Sequence, residues 1–326
     1  MKKITSILLA LVMLLGLAAC GFLAIDMAGK NIQRPQIHGM LTRVEYGDNV
    51  VYLFGTMHAG RPDWFPLHPI AEQALARADV IALEIEFDAL TNVSPELVAE
   101  IVQLQMLPDG LTLADVVPPH IFEPFLVNFA SYEALGLTYQ QIAHLTPVGV
   151  VMLLQGLAME FSGDAVDFTL SVDSYIGNFG IENNLPLIGL ETASEQMHHL
   201  LDVPLDIQAY VLVDFPPFGE FHSTFAEDLE LLAQAYERQD IDAMLALLEA
   251  DLSAGSDNPY ARHQHHVHFT VRSTHYANQI ARLLRTTEEP TTFFVAVGIA
   301  HLIGGEFGQV HAILREDGFT LTPLWE

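Results

Sequence analysis

The chain has 326 residues, of which 51% are apolar and 17% are charged, so it can build a substantial buried core. Its 41 acidic residues against 13 basic ones give a formal charge of −28. This charge repels phosphate and argues against nucleic acid or an anionic membrane surface as a partner. Cys20 is the single cysteine, which excludes an intramolecular disulfide.

The first twenty residues have the layout of a secretory signal peptide. Two lysines precede an apolar stretch over 4–17 that is short for a membrane span, and small residues then lead to Cys20. The letters "LAAC" at 17–20 are typical of a bacterial lipobox, which predicts a lipid anchor on Cys20 at the bacterial cell envelope, facing the periplasm. An ordinary cleaved signal peptide, with Cys20 lost, is the alternative. Residues 21–35 then form a tether.

Apolar runs and turn residues predict the first part of the folded domain. Two strands, 36–45 and 50–56, flank a turn at Gly47 and Asp48. A proline-started helix to about residue 78 and a strand over 80–87 follow. A succession of strand, helix and strand of this kind continues a parallel sheet.

The rest of the chain alternates helical segments with two more apolar strands. Residues 92–180 and 204–285 have helical periodicity, and 184–191 is a buried strand between them. A strand over 291–301, a helix, a turn and an edge strand complete the chain. No linker interrupts 36–326, so we predict one α/β domain with a central, mainly parallel sheet, helices on both faces and a helical insertion.

One motif occurs twice, each time at the end of an apolar run. "YLFGTMH" contains Gly55 and His58, and "FVAVGIAH" contains Gly298 and His301. In an open α/β sheet, ligands bind beyond the carboxyl ends of the strands, where glycine lets the backbone turn tightly and approach a ligand. We therefore expect both histidines at that edge, although a single Gly-x-x-His is weak evidence in a chain with 15 histidines.

Three glutamates lie within or just after apolar runs. Glu84 is in "VIALEIEF", where a carboxylate is costly unless it is paired, hydrogen-bonded or bound to a metal, and Glu86 shares its strand face. Glu191 follows "LPLIGL". Two imidazoles with one or two carboxylates suit a divalent metal with an open position for water, so the candidate ligands are His58, His301, Glu84 and Glu191. Each glutamate could instead mark where its strand meets solvent, and we prefer this interpretation for Glu86.

Other polar residues are weaker candidates. The run "HQHHVH" at 263–268 could bind a metal, but a solvated or partly packed helix face explains it more simply. Arg272 is either a surface charge or a group that stabilises an anionic intermediate, and the backbone beyond Gly298 is a second candidate for that role. Asp173 opens a helix, so capping or orienting roles compete with catalysis. The chain has no Gly-rich phosphate loop, Gly-x-Ser-x-Gly elbow or His-Glu-x-x-His helix.

Taken together, the motifs resemble those of one known family. "YLFGTMH", "ADVIALEIE", "LPDGLTLADVV", "SVDSYI", "LPLIGLETASEQ", "VRSTHYANQI" and "FVAVGIAHLIG" have the order and spacing of the TraB/GumN family, which includes the Tiki-type proteases. The similarity covers about 37–325. It implies an α/β fold related to ChaN-type haem-binding lipoproteins and to erythromycin esterases. From the Tiki branch it implies proteolysis that depends on a divalent metal.

The resemblance also assigns residues. The family's two histidines fall on His58 and His301, its glutamate on Glu84 and its helix arginine on Arg272. Family members commonly have asparagine after that arginine, whereas this chain has Ser273, so the polar network of the helix departs from the family pattern.

These observations favour a lipid-anchored metallopeptidase that uses Mn²⁺, Co²⁺ or Zn²⁺ and acts on a peptide or protein substrate. Glu84 would be either a ligand or a general base, and the sequence does not separate the two roles. A haem- or metal-binding lipoprotein without catalysis is the second hypothesis. An esterase-like hydrolase that needs no metal is the third, and signalling through partner binding is a further alternative.

Overall fold

The computed structural model describes residues 37–161, 167–252, 255–305 and 307–325. The predicted signal peptide (1–20), the lipidation site Cys20 and the tether (21–35) lie outside these residues. Within the described ranges, no helix combines the length and the apolar character that crossing a bilayer requires.

A six-stranded mixed sheet forms the centre of the described chain. Its strands are β1 (Thr42–Tyr46), β2 (Asn49–Thr56), β3 (Val80–Leu83), β4 (Leu187–Gly189), β5 (Thr292–Gly298) and β6 (Thr320–Pro323). Their order is β4-β3-β5-β2-β1-β6; the pairings from β4 to β2 are parallel, and β1 pairs antiparallel with β2 and β6. The predicted α/β class with a mainly parallel sheet is confirmed.

Four strands are shorter than the apolar runs that predicted them. In the run over 291–301, β5 ends at Gly298 and the last three residues form a 3₁₀ helix. Pairing begins at Thr42 in the run over 36–45, and the run over 184–191 pairs only at Leu187–Gly189. The run over 80–87 leaves the sheet after Leu83. The apolar pattern continues beyond this point because Ile85 and Phe87 are also buried. Ile85 lies in the segment after the strand, and Phe87 begins a short helix.

The end of β3 at Leu83 changes the position of Glu86. This glutamate precedes the short helix that starts at Phe87, and its side chain is exposed. It therefore does not share a strand face with Glu84, so that prediction was wrong. The alternative, that Glu86 marks where the chain meets solvent, is confirmed.

Helices fill the segments between the strands. They are α1 (Pro69–Leu75), α2 (Phe87–Thr91), α3 (Pro95–Leu104), α4 (Leu113–Val116), α5 (Pro119–Phe129), α6 (Tyr139–Ile142), α7 (Pro147–Phe161), α8 (Val172–Glu182), α9 (Ala193–Leu201), α10 (Leu205–Gln208), α11 (Phe218–Arg238), α12 (Ile241–Leu252), α13 (Pro259–His265), α14 (Ser273–Thr286) and α15 (Gln309–Glu316). A π-helix, His266–Arg272, joins α13 to α14 without a break.

Apolar side chains of the single domain form two main cores. The larger core surrounds the sheet, where α8 packs against β3 and β4 and α14 packs against β1 and β2. The second core is built by the helices over 113–154 with residues 209–215, and aromatic rings such as Phe125 and Tyr132 dominate it. This second core is the predicted helical insertion, and it leaves the carboxyl edge of the sheet to polar residues.

Candidate functional site

The candidate site lies at the edge of the sheet where the parallel strands β2, β3 and β5 end. His58 follows β2 by two residues, Glu84 follows β3 directly, and His301 ends a short 3₁₀ helix after β5. Parallel pairing places Thr56 beside Gly298, so these strand ends share one edge. The structure therefore brings His58, Glu84 and His301 together, while their role as ligands stays a prediction.

Both glycines of the repeated motif sit where a side chain would collide with the site. A Cβ on Gly55 would lie 2.3 Å from the Ile299 side chain, which packs across the end of β2. A Cβ on Gly298 would lie 3.1 Å from Glu84 Oε1 and 3.8 Å from His58 Nε2. The bare backbone at Gly298 therefore leaves room for the polar side chains that surround it.

His58 is held by a carboxylate behind it. Its Nδ1 lies 2.9 Å from Asp173 Oδ2, and the other oxygen of Asp173 accepts a hydrogen bond from the Thr56 hydroxyl at 2.7 Å. The negative charge of Asp173 raises the pKa of His58 above its ordinary value, although the ring is 67% exposed and water screens part of this effect. Ser171 caps α8, so Asp173 is an orienting residue rather than the N-cap.

His301 is buried and neutral at pH 7. Burial lowers its pKa to about 4, and this effect exceeds the opposite effect of the nearby Glu84 carboxylate. Its Nδ1 lies 2.9 Å from the Ser273 hydroxyl, and its Nε2 lies 3.8 Å from Glu84 Oε1. Ser273 stands where family members commonly have asparagine. Its hydroxyl is therefore the group beside His301 in this chain.

Glu84 is a buried carboxylate with donors on both oxygens. Gly298 N–H donates to Oε1 at 2.7 Å, and Arg272 Nη2 and Gln196 Nε2 donate to Oε2 at 2.8 and 3.2 Å. Burial alone would raise the pKa of Glu84, but the charge of Arg272 and the two imidazoles lowers it well below its usual range. Glu84 therefore remains ionised at any pH at which the protein is expected to work.

Glu191, predicted as a further ligand, is directed to Arg272 instead. Its Oε1 accepts hydrogen bonds from Arg272 Nε and Nη2 at 3.0 and 2.7 Å and from the Tyr276 hydroxyl at 2.6 Å. Its other oxygen lies 3.3 Å from His199 Nδ1. The structure does not bring this carboxylate to the two histidines of the motif, and its observed contacts serve to hold the guanidinium.

Arg272 links the two buried glutamates. Its guanidinium bridges Glu84 and Glu191 and also donates to the Tyr276 hydroxyl. Because Arg272 is the cation shared by two buried carboxylates, its removal would leave both Glu84 and Glu191 without their charged partner. The surface-charge interpretation of Arg272 is wrong, and the observed contacts make it a residue that fixes Glu84.

Sequence reasoning named His268 only within the weak metal candidate at 263–268 and did not connect it with Arg272. Its Nδ1 lies 3.3 Å from Arg272 Nη1. His268, Arg272 and Tyr276 follow one another at intervals of four, a spacing that places side chains on one face of a helix. That spacing was the available signal. Gln196 ends the motif "LPLIGLETASEQ", but its residue type alone did not single it out.

The histidine run at 263–268 does not form one cluster. His265 is buried, His266 is exposed, and His263 and His268 are partly buried. The interpretation as a partly packed helix face agrees with these environments, and His268 alone reaches the site.

Residues 40–323 match the TraB/PrgY/gumN family model. The chain belongs to this family. The match confirms the resemblance seen in the motifs and includes every candidate residue at the edge of the sheet. Searches among curated proteins and among solved structures found no significant match. Family membership therefore rests on the family model alone, and the activity has to be argued from the geometry of the site.

The donor set at this site of the TraB/PrgY/gumN protein fits a divalent metal in its chemistry. His58 and His301 each engage Nδ1 with a neighbour. His301 Nε2 lies 3.8 Å from Glu84 Oε1, and His58 Nε2 lies 3.8 Å from the position that a Cβ on Gly298 would take. Among the described residues, no group of three or more histidine, cysteine, aspartate or glutamate side chains has the spacing that would hold a metal ion. His58 is the more exposed of the two histidines, with 67% of its side chain exposed against 6% for His301.

Proposed function

We propose that this TraB/PrgY/gumN protein is a metal-dependent hydrolase of peptide bonds, with His58, Glu84 and His301 holding Mn²⁺, Co²⁺ or Zn²⁺. One observation carries the proposal: two imidazoles at adjacent strand ends are each held at Nδ1, and both Nε2 atoms lie around Gly298, whose N–H binds the buried carboxylate of Glu84. Metal-binding histidines are commonly oriented in this way by a hydrogen bond to the second ring nitrogen.

The proposed reaction is hydrolysis of an amide. The oxygen of one water bonds to the carbonyl carbon, the C–N bond breaks, and a proton from the water ends on the leaving nitrogen. A divalent ion bound at the site would make that water a competent nucleophile near neutral pH and polarise the carbonyl.

The surroundings of Glu84 favour one of the two roles that the sequence left open. A general base needs a pKa near the working pH, whereas Arg272 and Gly298 N–H hold the pKa of Glu84 far below it. We therefore assign Glu84 to binding the ion and not to accepting the proton. Arg272 keeps this carboxylate ionised and fixed in position.

The test measures cleavage of a defined peptide mixture by mass spectrometry, with the full-length protein in mild detergent. We expect chelation to abolish cleavage and one of the three metals to restore it. His58→Ala and His301→Ala should each lower kcat by at least about 100-fold, whereas the exposed His120→Ala serves as the matched control. Full turnover in both site variants would contradict the assignment.

A metal-independent hydrolase is the second candidate. The paired His58 and Asp173 support it, because a carboxylate on Nδ1 orients an imidazole for proton transfer at Nε2. This candidate predicts cleavage that survives chelation but is lost in Asp173→Ala. The chelation experiment therefore separates the two candidates.

We also propose that the protein is lipid-anchored at the bacterial envelope through Cys20, a residue outside the described structure. The "LAAC" letters before a polar tether support this location. In a bacterial host, we expect labelled palmitate to be incorporated into the wild type and not into Cys20→Ala. Equal labelling of both would contradict the anchor.

A further inference from the structure

A third histidine reaches the site without resembling the other two. His268 lies on the π-helix, four residues before Arg272, and its Nδ1 is 3.3 Å from Arg272 Nη1. The same guanidinium donates to Glu84 Oε2 at 2.8 Å through Nη2. One side chain therefore separates His268 from the carboxylate at the centre of the site.

The contact with Arg272 fixes where His268 carries its proton. A guanidinium has only donors, so His268 Nδ1 must accept, and the proton of the neutral ring is then on Nε2. Burial and the charge of Arg272 lower the pKa of His268 to about 3, which agrees with a neutral ring. His58 differs, because the carboxylate of Asp173 accepts a proton from Nδ1, so the neutral form of this ring has its lone pair on Nε2.

The Nε2–H group of His268 is available to a ligand. It has no hydrogen-bond partner among the described residues, and it is not one of their buried, unsatisfied atoms. The sequence instead suggested Arg272 for the oxyanion role. Its Nε and Nη2 hydrogens go to Glu191 and Glu84 and one Nη1 hydrogen goes to His268, so at most one N–H of Arg272 remains for a ligand. The Gly298 N–H is given to Glu84, and the backbone beyond Gly298 stays a second predicted candidate.

We propose that His268 Nε2–H donates a hydrogen bond to the carbonyl oxygen of the scissile peptide and stabilises the negative charge that develops on it. This inference rests on the hydrolytic function proposed above. A donor held in place before the substrate arrives needs no reorganisation during the reaction, which is why such donors accelerate acyl transfer. Because the proton occupies Nε2, His268 is a donor to the substrate and not a fourth metal ligand.

Two substitutions separate this role from mere support of Arg272. His268→Gln places an amide N–H near the former Nε2 but removes the acceptor at Nδ1. His268→Asn keeps an acceptor near Nδ1 but removes the distal donor. We expect His268→Asn to lower kcat about 100-fold with little change in KM, and His268→Gln to stay within about tenfold of the wild type.

The experiment uses the full-length protein with its restoring metal and the best-cleaved peptide of the mixture. Metal stoichiometry and melting temperature are measured on both variants, and neither should change. Affinity for a phosphinate analogue of that peptide, which mimics the tetrahedral intermediate, should fall in His268→Asn in parallel with kcat.

The possible failures are distinguishable. If the wild type cleaves peptides but His268→Asn retains full kcat, or if His268→Gln falls as far as His268→Asn, the assignment of His268 is wrong and the hydrolase proposal stands. If the wild type cleaves no peptide with any of the metals, the hydrolase proposal fails and the role of His268 fails with it.

Discussion

At the scale of single residues, the neighbour of each Nδ1 atom decides what each imidazole of the site can do. Asp173 faces the Nδ1 of His58, a serine hydroxyl faces that of His301, and Arg272 faces that of His268. In a hydrogen bond, a carboxylate only accepts, a guanidinium only donates, and a hydroxyl can do either. Three histidines of one site thereby acquire different chemistry at Nε2.

Ser273→Ala tests the support of His301. The hydroxyl is fully buried and lies 2.9 Å from Nδ1, so its loss leaves the ring unoriented and an orphaned polar atom. We expect metal affinity to fall about 10- to 100-fold. Competition with a chromophoric chelator measures the metal affinity. The control is Ser223→Ala, which removes an exposed hydroxyl on α11. Equal affinity in both variants would contradict a supporting role.

At the level of secondary structure, the site depends on the ends of β2 and β5 lying side by side, with a glycine where a side chain would crowd the site. Gly298 shows this most directly, because its N–H binds Glu84 Oε1 and its Cα faces the same oxygen. The parallel register of β2 and β5 sets Gly298 next to Thr56, and thus near His58. Backbone pairing, rather than any contact between the histidines, brings the two motifs together.

Gly298→Ala tests this packing. The new Cβ would stand 3.1 Å from Glu84 Oε1 and 3.6 Å from His301 Cδ2, so the carboxylate must shift. A displacement of this kind should lower kcat about 10- to 100-fold while the free energy of unfolding changes little. Peptide cleavage and urea unfolding measure the two quantities. Gly219→Ala has no neighbour within 4 Å and should leave cleavage unchanged.

The sequence predicted elements and motifs whose signal is local. Gly55 to His58 and Gly298 to His301 were recognisable because each ends an apolar run, and Glu84 because a charge inside such a run is costly. The bridge from Arg272 to Glu191 was not predictable, since the partners are 81 residues apart and no periodicity relates them. Only the tertiary fold chooses such partners.

The end of β3 escaped prediction for a different reason. The alternation of apolar residues continues through Ile85 and Phe87, both of which are buried. Apolar periodicity reports burial, and these residues are buried without being in the sheet. The sequence therefore recognised Glu84 as a buried carboxylate, but it placed both Glu84 and Glu86 on a strand that ends at Leu83.

At the scale of the whole molecule, buried histidines make stability depend on pH. Burial lowers the pKa of His301 and of His311 to about 4, and that of His268 to about 3. In the unfolded chain each ring takes up a proton below about pH 6.5. Between these values the unfolded state binds more protons, so the free energy of unfolding falls as the pH falls.

His311→Asn tests this linkage away from the site. His311 is on α15, and its backbone contact with Leu302 does not outweigh burial. Urea unfolding of the wild type at pH 7 and pH 5 should show lower stability at pH 5. His311→Asn should reduce the dependence by up to about 1.4 kcal/mol per pH unit below 6.5. The exposed His120→Asn is the control, and an unchanged slope in His311→Asn would contradict the linkage.

The central claim is that His58, Glu84 and His301 hold one divalent ion at the carboxyl edge of the sheet. Elemental analysis of the purified full-length protein, after dialysis against Mn²⁺, Co²⁺ or Zn²⁺, tests it most directly. We predict one ion per chain in the wild type and none in the double variant His58→Ala and His301→Ala, whose far-UV circular dichroism spectrum should match that of the wild type. A double variant that retains the wild-type stoichiometry, or a wild type that binds no ion, would contradict the claim.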